Sequence, residues 1–352
     1  MKAHRFIFSV VLTILFLGCK ETQSTAERSD NAANDSSAEV STTFNVVFYN
    51  VENLFDTEDD PQKADEEFTP AGEKEWTPER YDQKLAKLSR VIAASDDKLP
   101  AVIGLCEVEN RKVVEDLAKT GALAAIEYGV IHRESPDGRG IDVALLYDTK
   151  RLNLNEAGVI TTTLPVGDRP NTRLILHASG DINGAPVHFF VNHWPSRYGG
   201  KEKSEPNRLA VAGNLRTYLD AILQNDPDAE IIMMGDFNDH PDDKSIVEVL
   251  NAGSLSSSQP LANLMYDLHK QGKGSYNYRG EWGALDQFIV TRSLTDGEGI
   301  DVQPETVRFV RHDWMMYVND KGEAYPNRTY GGPNYYGGFS DHLPIVATFS
   351  VY

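Results

Sequence analysis

Eight polar residues of this 352-residue chain stand just beyond apolar stretches, and their types define a chemistry. They are Asn50 after FNVVFY, Glu107 after AVIGLC, His193 after VHFFVN, Asp236 and Asn238 after IIMMG, Asp286 in LDQFIV, and the neighbours Asp341 and His342 in SDHLP. Carboxylate and amide oxygens suit Mg²⁺, with Mn²⁺ or Ca²⁺ as alternatives. A cation held by them offsets charge on phosphoryl oxygens while an activated water attacks phosphorus in line. Imidazoles nearby move protons at neutral pH. Each residue alone has an ordinary structural reading, as a solvated strand-end charge, a satisfied histidine or a turn cap. Their coincidence in one α/β pattern points to metal-assisted phosphoester hydrolysis.

Such groups must be delivered by backbone that has just left a sheet, where it is held rigidly. The apolar runs supply that backbone. Phe44 to Val51 reads as the first strand, Ala101 to Cys106 as the second, with a helix after it through Lys119. Ile126 to His132 and Ile141 to Tyr147 bracket a turn, as do Thr172 to Ala178 and Val187 to Asn192 about Asp181 to Gly184. Thr77-Pro78 opens a helix with a capping hydroxyl and proline at the first position, and Tyr81, Leu85, Leu88 and Ile92 share one face of it. Ser204 is expected to cap a long helix carrying Leu215, Leu219, Ile222 and Leu223. Residues 231–234 form the strand that ends in Gly235-Asp236, Asp242 to Leu250 reads as a helix, and Ile345 to Val351 as the closing strand. Asp239 and His240 read as loop. The aromatic, Gly-rich stretch from His312 to Phe339 also reads as loop, either a substrate-gripping lid or a segment pinned by its own rings.

Seven motifs in order, NVVFYNVENL (45–54), IGLCEVEN (103–110), GIDVALLY (140–147), VNHWPSR (191–197), MGDFND (234–239), LDQFIV (285–290) and SDHLP (340–344), resemble those of the endonuclease/exonuclease/phosphatase superfamily, the deoxyribonuclease I-like proteins. The resemblance covers residues 44–352. It implies an α/β fold, a four-layer sandwich of two face-to-face mixed β-sheets flanked by helices. It further implies that Glu107 is the principal Mg²⁺ ligand with Asn50 beside it, and that Asp341 supports that metal or binds a second one. Asp236 and Asn238 would position the attacking water and the phosphate. His342, oriented by Asp286, and His193 would form the acid/base pair, with the assignment between them open. Arg173 matches a phosphate-contacting arginine, while Arg139, Arg197 and Arg208 are weaker candidates for the same task. Asp142 is read either as an orienter of His193 or as a turn-exit carboxylate. Cys106 replaces a glutamine common in the superfamily and is expected to be buried, pointing away from the site.

The N-terminus adds a location. Lys2 and Arg5 precede the apolar run Phe6 to Leu17, and Phe16-Leu17-Gly18-Cys19 resembles the lipobox of bacterial lipoproteins. Residues 1–18 therefore read as a signal peptide, Cys19 as the lipidated residue, and 19–43 as a polar tether that cannot offset its own ordering entropy. This predicts an outer-membrane lipoprotein, periplasm-facing or on the cell surface, acting as a monomer and touching the membrane through its lipid. The net charge of −19 excludes tracking along nucleic acid by general electrostatics, because cationic side chains supply most of that affinity. A phosphodiesterase or nuclease is the leading expectation. A phosphatase or lipid-headgroup phosphodiesterase on a small substrate is its alternative, and a catalytically inactive surface binding lipoprotein is the alternative of another class.

Overall fold

The computed structural model describes residues 42–167 and 170–352. The signal segment, Cys19 and the tether up to residue 41 lie outside the described residues. Two large sheets carry the chain. The first runs, in order of neighbouring strands, β14 (Ile300–Phe309), β19 (Ile345–Val351), β1 (Thr42–Leu54), β2 (Val102–Val108), β4 (Asp142–Asp148) and β3 (Tyr128–His132). The second runs β5 (Leu152–Ile160), β6 (Ile175–Ile182), β7 (Ala185–His193), β8 (Ile231–Asp236), β13 (Asp286–Thr291), β10 (Leu261–Asn263) and β9 (Ala252–Gly253). Both mix parallel and antiparallel pairs: β1 is parallel to β2 and antiparallel to β19, and β7 is parallel to β8, which is antiparallel to β13.

The strands are continuously apolar because both faces are covered. In β1, Phe44, Val46 and Phe48 point into the core between the sheets, where they join Leu176, Phe189, Met234 and Phe288. The alternate residues Tyr49 and Val51 face helices α1 (Pro78–Ala93) and α2 (Arg111–Ala118) through Leu85, Leu88, Val113 and Leu117. On the far side, α3 (Lys201–Asn225) lays Leu215 and Leu219 on Phe190, Ile231 and Met233. Helix, sheet, sheet and helix make the expected four layers. Phe48 is completely buried, and truncating such a side chain to alanine costs about 3–5 kcal/mol.

Several boundaries differ from the sequence expectation for reasons the pairing makes plain. Strand β1 starts at Thr42, because Thr42 and Thr43 pair with Val351 and Ser350, so the last two residues assigned to the tether belong to the sheet. The β6–β7 hairpin closes on Asn183-Gly184, with φ of 51° and 90°, a mirror-image two-residue turn that lengthens both strands beyond the predicted ends. Helix α3 begins at Lys201 after Gly200, and the Ser204 hydroxyl donates back to the Gly200 carbonyl instead of capping. Between Asp242 and Leu250 only a π-helical turn, Ser245–Leu250, forms.

The stretch 312–339 is ordered by small hairpins, β15 (Met316–Val318) with β16 (Ala324–Pro326) and β17 (Tyr330–Gly331) with β18 (Asn334–Tyr335). A similar hairpin, β11 (Tyr276–Tyr278) with β12 (Glu281–Gly283), precedes β13. Tyr330 is buried edge-on against Phe68, and the Arg80 guanidinium stacks on Tyr335. The buried Lys84 donates to Thr329 Oγ1 and to the Phe339 carbonyl. The segment is pinned by its own rings, leaving Tyr317 and Tyr336 exposed.

Candidate active site

The C-terminal ends of β1, β2, β7 and β8 point the same way, as do the start of β13 and the segment leading into β19, which are antiparallel to their neighbours. Six separate chain segments therefore meet at one edge. Two bulges aim the side chains there. The register of β1 shifts between Asn50 and Leu54, and that of β2 between Cys106 and Val108. Glu52, Asn53, Glu107 and Asn238 all have left-handed backbone, with φ of 51°, 53°, 63° and 51°. Non-glycine residues reach that region only when their surroundings hold them, and such strain gathers at functional sites. Gly235 is required for another reason: a Cβ there would lie 2.5 Å from the Asn192 carbonyl oxygen of β7.

The cluster is compact. Asn50 Nδ2 lies 3.2 Å from Asp236 Oδ2 and 3.4 Å from Glu107 Oε1. His193 Nε2 stands 3.9 Å from both of those carboxylates. His342 Nε2 is also 3.9 Å from Asp236 Oδ2, and its Nδ1 lies 2.6 Å from Asp286 Oδ2. Tyr276 covers the His342 ring, centroid to centroid 4.9 Å, and its backbone bridges to that residue. The Asn238 amide donates from its backbone to Asp236 Oδ1 and from its side chain to the Trp194 carbonyl, which fixes it beside the cluster. The side chains predicted at positions 50, 107, 193, 236, 238, 286 and 342 are thus brought together.

Asp341 reaches the same edge through Arg328, whose guanidinium bridges Asp341 Oδ2 and Glu52 Oε1 at 3.1 Å each. Glu52, Arg328 and Tyr276 had no signal strong enough to select them from sequence. Glu52 sits in the bulge of β1, where alternation says nothing about direction.

Electrostatics sharpen the picture. Burial raises the Asp236 carboxyl to about 7, with Asp286 and Glu107 adding to the rise and His342 opposing it. Burial also raises Glu107, reinforced by Asp341. His193 is pushed well below the ordinary histidine value by burial and by the Arg173 and Arg139 charges, so it is neutral. His342 goes the other way: burial disfavours its charge, yet Asp286, then Asp236 and Asp341, lift it well above the ordinary value. Two imidazoles a few ångströms from one carboxylate thus hold opposite protonation states.

A hard divalent cation fits these donors. Glu107 and Asp236 are carboxylates bridged by the Asn50 amide, and burial disfavours the charge of both even with the His342 imidazolium nearby, a situation that an oxygen-ligated cation relieves. Asn50 is the exception among the expected ligands, since its Oδ1 accepts from the Glu52 backbone N–H and its Nδ2 faces the carboxylates. As oriented, it donates to the ligands.

Of the arginines, Arg173 is buried, with one nitrogen 3.3 Å from Asp137 Oδ2 and another donating to the Trp194 carbonyl next to His193. Arg139 shares Asp137 and stays half-exposed. Arg197 is committed elsewhere, donating to the Asn238 carbonyl and pairing with Asp239 and Asp243, so it braces the loop and is not free for phosphate. Arg208 is fully buried and paired with Asp239 at 2.7 Å. Asp239 is consequently an anchor of the fold, where the sequence had suggested plain loop. Asp142 pairs with His132 at 3.2 Å and accepts from the Ser135 N–H, so it does not orient His193. The His193 Nδ1 is buried without a hydrogen-bond partner among the described residues. Cys106 lies in the core between the sheets as a free thiol.

A family model described as Endonuclease/Exonuclease/phosphatase family matches residues 45–350. No curated protein sequence matches significantly. Among solved structures, the human Nocturnin catalytic domain is similar at 17% identity and a TM-score of 0.53, covering 88% of this chain and 95% of its own. Truncated TDP2 of Caenorhabditis elegans is similar at 15% identity and 0.51, covering 88% and 98%. A mannosyl-6-phosphatase of Bacteroides thetaiotaomicron is similar at 17% identity and 0.53, covering 87% and 99%. At these identities the likeness speaks for the fold.

Proposed function

The chain belongs to the endonuclease/exonuclease/phosphatase family, whose members are divalent-metal-dependent phosphoesterases, and we propose that it is a Mg²⁺-dependent phosphodiesterase cleaving by in-line attack of water. The observation that supports this reading is the meeting of Glu107, Asp236, His193 and the Asp286–His342 pair within hydrogen-bond or ion-pair reach where the ends of the two sheets come together. Glu107, with Asp341 behind it, would hold the cation, which when bound supplies positive charge to the phosphoryl oxygens and acidifies water.

The remaining work falls to the chain's own groups. Asp236 accepts a proton from the attacking water, and Asn238, clamped by the Trp194 carbonyl, hydrogen-bonds the phosphate. His342 carries a proton on Nε2, fixed in place because Asp286 holds Nδ1, and presents it to a phosphoryl or leaving oxygen. Neutral His193 accepts or returns a proton on the opposite side, and Arg173 and Arg139 offer fixed positive charge there. Burial of these groups lowers the local dielectric and strengthens each contact with developing charge.

A second reading, a phosphatase or headgroup hydrolase on a small ester, is favoured by one feature. A concavity of about 310 Å³ beginning two residues beyond Glu107 is lined by Asp56, Glu58, Asp59, Asp60, Glu109 and Glu134, with Lys63 as its one cation. A long polyanion passing Asp56, Glu58, Asp59 and Asp60 is repelled, whereas a small ester need not touch them. From the sequence, we also propose that Cys19 is lipidated and that the enzyme acts as a monomer at the outer membrane. An inactive binding lipoprotein requires a broken cluster, and the cluster is intact.

The test is hydrolysis of plasmid DNA, RNA, bis-p-nitrophenyl phosphate, p-nitrophenyl phosphate, sphingomyelin and inositol phosphates with Mg²⁺, Mn²⁺, Ca²⁺ or EDTA. Turnover of diesters that EDTA and Glu107→Gln abolish is expected. Activity on monoesters alone would replace the diester assignment by the second reading, and activity undiminished in Glu107→Gln would remove both.

A further inference from the structure

Away from the catalytic cluster, a second group of side chains has the chemistry of metal ligands and no part in the reaction. His240 and Asp242 lie on the loop that follows Asn238, and His269 lies on the short helix α4 (Tyr266–Lys270). One ligand atom from each falls within 4.8 Å of the other two. His269 Nε2 is 3.1 Å from Asp242 Oδ1, and the His240 and His269 rings are 4.9 Å apart, tilted by 46°.

We propose that His240, Asp242 and His269 form a separate site for a divalent transition metal of the Zn²⁺ class, which staples the loop carrying Asn238 to α4. Two imidazoles and one carboxylate are donors that Zn²⁺ prefers and Mg²⁺ does not. Bonds of about 2.0–2.2 Å place the ligand atoms of a tetrahedral Zn²⁺ roughly 3.3–3.5 Å apart. Small rotations of side chains at the surface close the remaining gap.

The backbone under these side chains is already held. The His240 N–H donates to Asp243 Oδ2 at 2.7 Å, Pro241 restricts the next step, and Asp239 is locked to Arg208. Among the described residues nothing hydrogen-bonds the His240 imidazole. A Cβ on Gly283 would come within 3.0 Å of its Nε2, so the glycine leaves the ring its space. Lys270 takes Asp242 Oδ2, which leaves Oδ1 turned to His269 and orients the carboxylate as an outer partner of a ligand does. The nearby cations Arg197 and Lys201 are both matched by Asp243. Partial exposure of all three residues gives an ion access and leaves a coordination position for water.

The experiment uses the purified chain stripped of metal and then saturated with Mg²⁺ to fill the oxygen-donor centre. Zn²⁺ binding is followed by calorimetry, Co²⁺ binding by its visible absorption, and stability by thermal unfolding. One further equivalent of Zn²⁺, an imidazole-type Co²⁺ spectrum and a Zn²⁺-dependent rise in Tm are expected. In His240→Ala and His269→Ala the affinity should fall by about tenfold or more and the rise in Tm should vanish. His269→Asn, on an exposed helix, serves as the second variant should His240→Ala fold poorly. Zn²⁺ stoichiometry, affinity and Tm shift that are unchanged in His269→Ala or His269→Asn overturn the proposal, as does Zn²⁺ binding that only Glu107→Gln removes. The readout is binding, so the result stands apart from whether a phosphoester is cleaved.

Discussion

His342 and Asp286 form a buried imidazole–carboxylate pair, Nδ1 to Oδ2 at 2.6 Å, with the far nitrogen Nε2 facing Asp236. Burial alone would strip this ring of its proton, yet the surrounding carboxylates keep it charged, Asp286 foremost. Asp286→Asn preserves the shape and removes the charge. The expected outcome is a fall in kcat of about 10²–10³ with a smaller change in KM, the range for loss of a positioned proton donor. Because the variant lowers the basicity of His342, the alkaline limb of the pH–rate profile should move to lower pH. Steady-state kinetics between pH 5 and 10 check both effects.

Arg173 and Arg139 share Asp137 but differ in burial, so their losses should separate. Arg139 is half-exposed, and Arg139→Ala should raise KM by about tenfold through the loss of one charged contact while leaving Tm within a degree or two. Arg173 is buried, and Arg173→Ala removes one of the two guanidinium partners of Asp137 and one of the two donors to the Trp194 carbonyl. A loss of about 1.5–3 kcal/mol is expected, seen in denaturant unfolding.

The line between what was legible in the sequence and what was not follows the range of the interaction concerned. Asn50, Glu107, His193, Asp236 and Asp286 could be chosen because each ends or begins an apolar run, and the end of a strand fixes where a side chain emerges. The four layers follow from the same runs, since strands buried on both faces need helices outside. Asp239 could not be read, because its partner Arg208 sits on α3, and nothing local distinguishes an anchoring aspartate from a turn residue. Arg197 was ambiguous for the same reason. Asp142 failed as an orienter of His193 because strand alternation gives a face but not a neighbour, and the neighbour is His132. Glu52 and Arg328 depend on a bulge and on a hairpin cluster whose order comes from Trp76 and Lys84, far away in sequence.

The Asp239–Arg208 pair lies directly under the loop that carries Asn238, with Ser245 Oγ donating to the second carboxylate oxygen at 2.7 Å. Asp239→Ala strands a buried guanidinium and should cost about 3–5 kcal/mol. Replacing both members, Asp239→Asn with Arg208→Met, removes the stranded charge and should recover part of that loss. A double-mutant cycle by urea unfolding measures the coupling, and additive losses would show that the two side chains do not support each other.

Glu109 offers a pH test independent of the metal centre. It is 7% exposed, and burial raises its carboxyl to about 8, with Asp56 adding to the rise although the Asp56 N–H donates to it. The folded state therefore holds this proton more tightly than the unfolded chain, whose glutamate titrates near 4.3. Stability from this group is fully present below pH 4 and is lost as pH rises through about 8, because the folded protein must then bury a charge. Glu109→Gln keeps the acceptor for Asp56 and never ionises. Its Tm should match that of the parent near pH 4 and exceed it at pH 9, with the gap opening between those values. Thermal unfolding in EDTA across that range makes the comparison. A gap that is constant with pH would mean that Glu109 is not the titrating group and that the acidic wall beside the site keeps its charge when folded.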